Sequence, residues 1–99
     1  MNIKLEAVKQ ELVKFQQLLE PRLKEFPNYN ILIFCKEQAT YINKLLVGNG
    51  TITLEDEKNI HIGIMSVKEN LINEDPELDN QIHKLTGSIG KLTGRIKDK

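Results

Sequence analysis

Two histidines, His61 and His83, and a single cysteine, Cys35, are the groups in this 99-residue chain best suited to catalysis or metal binding. The histidines form neither an HExxH nor a His-x3-His pair, and no further cysteine is present to complete a zinc site. Glu57 stands one turn before His61, but two ligands of mixed type describe an exposed surface pair. Cys35 follows Phe34 on an apolar helix face with no base beside it, the setting of an inert buried thiol. The stretch Gly87-Ser88-Ile89-Gly90-Lys91-Leu92-Thr93 has the glycines and lysine of a phosphate loop. It lacks the four-residue gap, the hydroxyl directly after lysine and the preceding strand. Ser66 and Lys68 match no serine–lysine dyad. No catalytic constellation, metal site or cofactor site results, so the chain reads as a binding protein and not an enzyme.

The carboxylates are distributed less evenly. The formal net charge is zero, which argues against nucleic acid as a partner. Along the chain, however, residues 1–27 and 28–50 each carry +1, residues 51–79 carry −6 and residues 80–99 carry +4. Glu55, Asp56 and Glu57 open one acidic group; Glu69, Glu74, Asp75, Glu77 and Asp79 form the second. Acids at helix starts are ordinary partners of the helix dipole. Two such groups in one segment also make a patch complementary to a basic protein surface, which speeds and directs association.

Helices must position these groups. Leu5, Val8, Leu12, Phe15 and Leu19 step by three and four, an apolar stripe down one helical face. Leu23 and Phe26 continue the stripe past Pro21, which predicts a kink or short break near Leu18–Glu20. Pro27 ends the segment and Asn28 is placed to cap a second helix. Ile31, Phe34 or Cys35, Gln38, Ile42 and Leu45 form its stripe, and Gly48-Asn49-Gly50 stops it. From Thr51 to Leu71 the pattern is ambiguous. Asn49-Gly50 with Thr51-Ile52-Thr53, and Ile60-His61-Ile62-Gly63-Ile64, have hairpin character. Thr53 with Asp56 resembles a capping box, and Ile60, Ile64, Val67 and Leu71 keep helical spacing. Asp75, Pro76, Glu77 and Asp79 then start a last helix, whose seam is Leu78, Ile82, Leu85, Ile89, Leu92 and Ile96. The glycines in it each cost about 1 kcal/mol relative to alanine, so residues 95–99 are expected to fray. Residues 1–99 are expected to form one all-α domain, a compact antiparallel bundle of about four helices. The longest apolar run, Ile31 to Cys35, is far below the ~20 residues of a membrane span. The charged N-terminus lacks a secretory h-region, so a cytoplasmic address is expected.

Four pieces in register carry a resemblance: Phe26-Pro27-x-Tyr29, Gln38-x-x-Tyr41-Ile42, Ile60-x-Ile62-Gly63-Ile64-x-x-Val67-Lys68-Glu69 and Asp75-Pro76-Glu77-Leu78. Over residues 26–85 the chain resembles the small helical immunity family that neutralises type VI secretion effectors with NAD(P)+ glycohydrolase activity. Ser66 replaces the alanine usual there, and the glycine-rich end after Leu85 follows no family pattern. The resemblance implies that the third segment is helical. It implies that Gly63 is a point of close helix packing and that Ile60, Ile64 and Val67 are core. It implies a cognate toxin as partner in a hetero-complex, one that depletes NAD(P)+ or a related toxin on the same fold that consumes nucleotides; the leading reading is that the bundle docks over that toxin's nucleotide cleft. The acidic turn supplies the candidate toxin-binding residues: Glu69, Asn73, Glu74, Asp75 and Asp79, with Glu55 and Asp56 next. A different reading, a structural or adaptor bundle forming a homodimer through the last helix's seam, stays open on the pattern alone.

Overall fold

The apolar stripe of the first segment folds as α1, Ile3–Glu25, whose start is capped by the Asn2 side chain accepting from the Leu5 amide at 3.1 Å. The computed structural model describes residues 2–97. Val8, Leu12, Phe15 and Leu19 are all buried. The expected break at Pro21 does not occur: the helix runs through it to Glu25. Pro21 has no amide to donate, and one residue on, Arg22 adds a second donor to the ladder through Nη1, 2.8 Å from the Leu18 carbonyl. Phe26 falls outside the helix and is exposed, so the stripe ends at Leu23.

Helix α2 spans Asn30–Asn49 and starts one residue later than Asn28 would set it, with Tyr29 at the cap and no side-chain cap bond. Leu32, Cys35, Gln38, Ala39, Ile42, Leu45 and Leu46 face inward, while Ile31 and Phe34 are half-buried. Gly50 ends the helix in the left-handed region, φ 72°, and its amide reaches the Leu46 carbonyl.

The ambiguous segment is helical, in three short pieces: α3 Leu54–Glu57, α4 Ile62–Lys68 and α5 Leu71–Glu74. No strand occurs among the described residues. The capping box is present, with the Asp56 amide 3.1 Å from Thr53 Oγ1 and the Thr53 amide 3.0 Å from Asp56 Oδ2. A continuous helix would have buried the stripe of Ile60, Ile64 and Val67. Instead Ile52, Ile62, Ser66 and Leu71 are buried, and no single helical face can hold all four. The chain therefore breaks between α3 and α4 and again at Asn70, which adopts φ 54°.

A buried glutamine secures the first break. Gln38 of α2 donates through Nε2 to the Asn59 carbonyl at 3.2 Å and accepts the His61 amide at 2.6 Å. Two backbone groups left over by the interrupted helix are thus paired by one side chain. Asn59 Nδ2 lies 3.5 Å from the Tyr41 hydroxyl, so the Gln38-x-x-Tyr41 motif brackets this turn.

Helix α6, Pro76–Thr93, begins as its sequence dictates, with Pro76 in the first turn and Asp75 accepting from the Leu78 amide. It packs chiefly on α1. Arg22 meets Asp75 while Glu11 meets Gln81, so the two helices run antiparallel. Leu78, Ile82, Leu85 and Ile89 of the seam are completely buried within the chain's own core, and Leu92 and Ile96 are half-buried. That face is closed to a second copy. Gly94, φ 87°, ends the helix, and the chain turns back so that the Ile96 amide reaches the Gly90 carbonyl at 3.0 Å. Asp98 and Lys99, part of the end expected to fray, lie outside the described residues.

Candidate functional site

Cys35, Glu57, Ser66 and His83 are committed to structure, whereas the side chain of His61 is exposed. Cys35 is buried and its thiol is pushed up to about 12, first by loss of solvent and then by the negative charge of Asp75. Glu57 turns away from His61: its carboxylate accepts from Arg95 Nε at 2.6 Å and from the Thr93 hydroxyl at 2.7 Å. The expected exposed Glu57–His61 pair is therefore replaced by a clasp between α3 and the end of α6, with Glu57 largely covered. Gly87 and Gly90 lie within the helical run of α6, where no loop exists to cradle a phosphate. No group of three or more metal-binding side chains occurs among the described residues.

One constellation escaped the sequence. Ser66, His83 and Asp79 converge, with His83 Nε2 at 3.5 Å from Ser66 Oγ and 3.3 Å from Asp79 Oδ1. A hydrolytic triad needs the serine and the carboxylate on opposite ring nitrogens. Here both lie at Nε2, and the Ser66 hydroxyl is buried and donates to the Gly63 carbonyl at 2.8 Å. The arrangement fastens α4 to α6. Nearby, a Cβ on Gly63 would meet Thr86 Cγ2 at 3.5 Å, so the two helices are in ordinary contact there.

The seven acidic-patch residues divide into two groups. Asp56, Asp75 and Asp79 are used by the fold. Asp56 closes the capping box, Asp79 is 6% exposed beside His83, and Asp75 joins Arg22 in a two-bond pair. The guanidinium of Arg22 holds the Asp75 carboxyl below the usual carboxylate range, chiefly by hydrogen bonding. Glu55, Glu69, Asn73 and Glu74 are exposed; Glu55 reaches Lys58 at 3.1 Å and Asn73 donates to the Asn70 side chain.

Among these exposed acids lie three large aliphatic side chains. Ile64, Val67 and Ile72 are 59%, 70% and 62% exposed, which corrects the placement of Ile64 and Val67 in the core. Ile60 alone of that trio packs against the core, partly buried. Helices α4 and α5 thus present apolar side chains outward with Glu69, Asn73 and Glu74 between and beside them. Their helical spacing had signalled an apolar stripe, but spacing alone does not say which of two stripes faces inward. Ile64 and Val67, three residues apart, share one face of α4, while Ile72 stands on α5 beyond the Asn70 turn; exposed aliphatic side chains beside polar ones are what protein interfaces are built from.

A family model, Tsi6, matches residues 4–91. The chain belongs to the Tsi6 family. This is a family of type VI secretion immunity proteins, so the chain is related to proteins that act by neutralising an effector. No curated protein and no solved structure matches it. The Tsi6 match covers all four pieces of the resemblance and stops before the Arg95–Ile96 turn. No helix among the described residues is long and apolar enough to cross a membrane.

Proposed function

We propose that this chain is the immunity partner of an NAD(P)+-degrading effector, which it inhibits stoichiometrically by covering the effector's nucleotide cleft. The observation that carries this reading is the α4–α5 surface. It sets Ile64, Val67 and Ile72, all more than half exposed, beside Glu69, Asn73 and Glu74 on two consecutive short helices. An NAD(P)+ cleft is lined by basic groups for phosphate, and acids carried on an inhibitor meet them with complementary charge. Glu69, Asn73 and Glu74 make direct contacts, with Glu55 at the edge of the same surface. Asp75, Asp79 and Asp56 contribute their field while holding α6 and α3 in place. The aliphatic side chains supply the desolvated centre that gives such a complex its strength. The complex forms in the cytoplasm, where the effector acts on the cell's nucleotides.

Co-expression tests the reading. Cells producing the effector's toxin domain keep their NAD+ and grow when this chain is present. A Glu69→Lys, Glu74→Lys, Ile72→Glu variant loses that protection. No protection by the wild-type chain contradicts the function; full protection by the triple variant contradicts the surface.

A further inference from the structure

Helix α4 buries the less apolar of its two faces. At about 100° per residue, Ile62 and Ser66 lie roughly 150° around the helix from Ile64 and Val67. Ile62 and Ser66 are 0% and 1% exposed, whereas Ile64 and Val67 face solvent. Two branched aliphatic side chains carry more apolar surface than one with a hydroxyl, so burial alone favours the opposite choice. The residues flanking α4 follow that preference. Ile60 packs against the core and Leu71 is buried. An unbroken helix would place Ile64 and Val67 on the same face as both.

Gln38, on α2, holds the two backbone groups that decide the matter. In a continuous helix the His61 amide would bond to the Glu57 carbonyl, and the Asn59 carbonyl would accept from the Gly63 amide. Gln38 takes both groups instead, the amide at 2.6 Å and the carbonyl at 3.2 Å. The Glu57 carbonyl is left to accept from the Ile60 amide at 3.0 Å. On α6, His83 Nε2 lies 3.5 Å from Ser66 Oγ and Thr86 stands against Gly63, contacts that fit this orientation of α4. We infer that Gln38 is a positioning residue: by interrupting the helix it keeps the face of Ile64 and Val67 turned outward, where it meets the effector. Without its two bonds, α3 and α4 join and that face turns toward the core. This inference rests on the proposed immunity function and adds what presents the binding face.

Two thiol reporters test it, Val67→Cys and Ser66→Cys, each beside the native Cys35, whose buried thiol records opening of the whole chain. With Gln38 in place, a thiol at position 67 labels fast and one at position 66 slowly. Gln38→Met keeps the length of the side chain but neither its donor nor its acceptor. In that background the thiol at position 67 should label about tenfold more slowly, as it does when the outward state falls to roughly a tenth of the molecules. The thiol at position 66 should label faster, and Cys35 should not change. Binding of Gln38→Met to the effector's toxin domain should weaken by the same factor of about ten, because apparent affinity scales with the competent fraction. An unchanged rate at position 67 overturns the inference. So does faster labelling of all three thiols, which would make Gln38 a stabilising contact only. Slower labelling at position 67 with undiminished binding overturns the role of this face in binding. No binding by the wild-type chain contradicts the immunity function itself, and the labelling rates still decide whether Gln38 holds α4. Hydrogen exchange on the wild-type chain needs no variant. The His61 amide should exchange more slowly than the amides of the first turn of α4, because the amides that open a helix have no intrahelical partner. A His61 amide as fast as those overturns the inference.

Discussion

Arg22 reaches from the last turn of α1 to Asp75 at the start of α6, with Nε 2.6 Å from Oδ2 and Nη2 3.0 Å from Oδ1. A third bond from Nη2 to Glu77 Oε1, 3.0 Å, completes the group. The same carboxylate caps α6, so one side chain ends one helix contact and begins the next helix. Both partners are about a quarter exposed, so solvent weakens the pair below the ~3–5 kcal/mol of a fully buried one. Arg22→Ala is expected to cost about 1–2 kcal/mol, and Asp75→Ala about 1 kcal/mol more through loss of the cap, measured by urea unfolding at pH 7. Acid sensitivity follows from the depressed Asp75 carboxyl. Its contribution is complete above the ordinary aspartate value of about 3.9 and is lost as pH falls through the lower folded value. Asp75→Asn should therefore be less stable at pH 7 and show a flatter loss of stability below about pH 4.

Cys35 makes the opposite prediction at the alkaline end. Its folded value of about 12 lies above that of an unfolded thiol, so the unfolded chain releases the proton first. Stability should fall as pH rises above about 8.5, and Cys35→Ser or Cys35→Ala should blunt that fall. At pH 8 the native thiol should react with a disulfide reagent only as fast as the chain opens. Rapid labelling of the folded protein would contradict its burial.

The buried seam decides what a substitution in α6 reports. Leu85→Ala or Ile82→Ala should cost about 2–5 kcal/mol, the range for truncating a fully buried aliphatic side chain. The mass in light scattering should stay that of wild type, because these side chains are already buried in the chain's own core. A change of oligomeric state without loss of stability would restore the dimer reading.

Two glycines in one helix should respond with opposite sign. A Cβ on Gly87 meets nothing within 4 Å, so Gly87→Ala should stabilise by up to about 1 kcal/mol. A Cβ on Gly90 would lie 2.5 Å from Arg95 Nη2 and 2.7 Å from Ile96 Cδ1. Gly90→Ala must displace the C-terminal turn and with it the Arg95–Glu57 pair, so its melting temperature should not exceed that of wild type.

The helical class, the starts of α3 and α6, the stop at Gly50 and the buried thiol were legible because each depends on neighbours in sequence. Caps and stripes are local physics. What the sequence left hidden depended on distant partners. Gln38 looked like one polar member of a stripe, yet it pairs the Asn59 carbonyl and the His61 amide and so breaks the third segment. With that break in place, Ile62 and Ser66 turn inward while Ile64 and Val67 turn out. Phe26 continued the α1 stripe by spacing, but the helix stops one residue short of it. The acids were easy to find and hard to rank. Only the positions of Arg22 and His83 separate Asp75 and Asp79, which hold the fold, from Glu69 and Glu74, which face solvent.

The proposed one-to-one inhibition of an effector is open to direct measurement. Titrating the purified chain into a fixed amount of the effector's toxin domain, and following NAD+ consumption, measures this directly. A linear fall in rate that reaches zero at one equivalent is expected. A rate unchanged at molar excess, or NAD+ consumption by the chain alone, would contradict it.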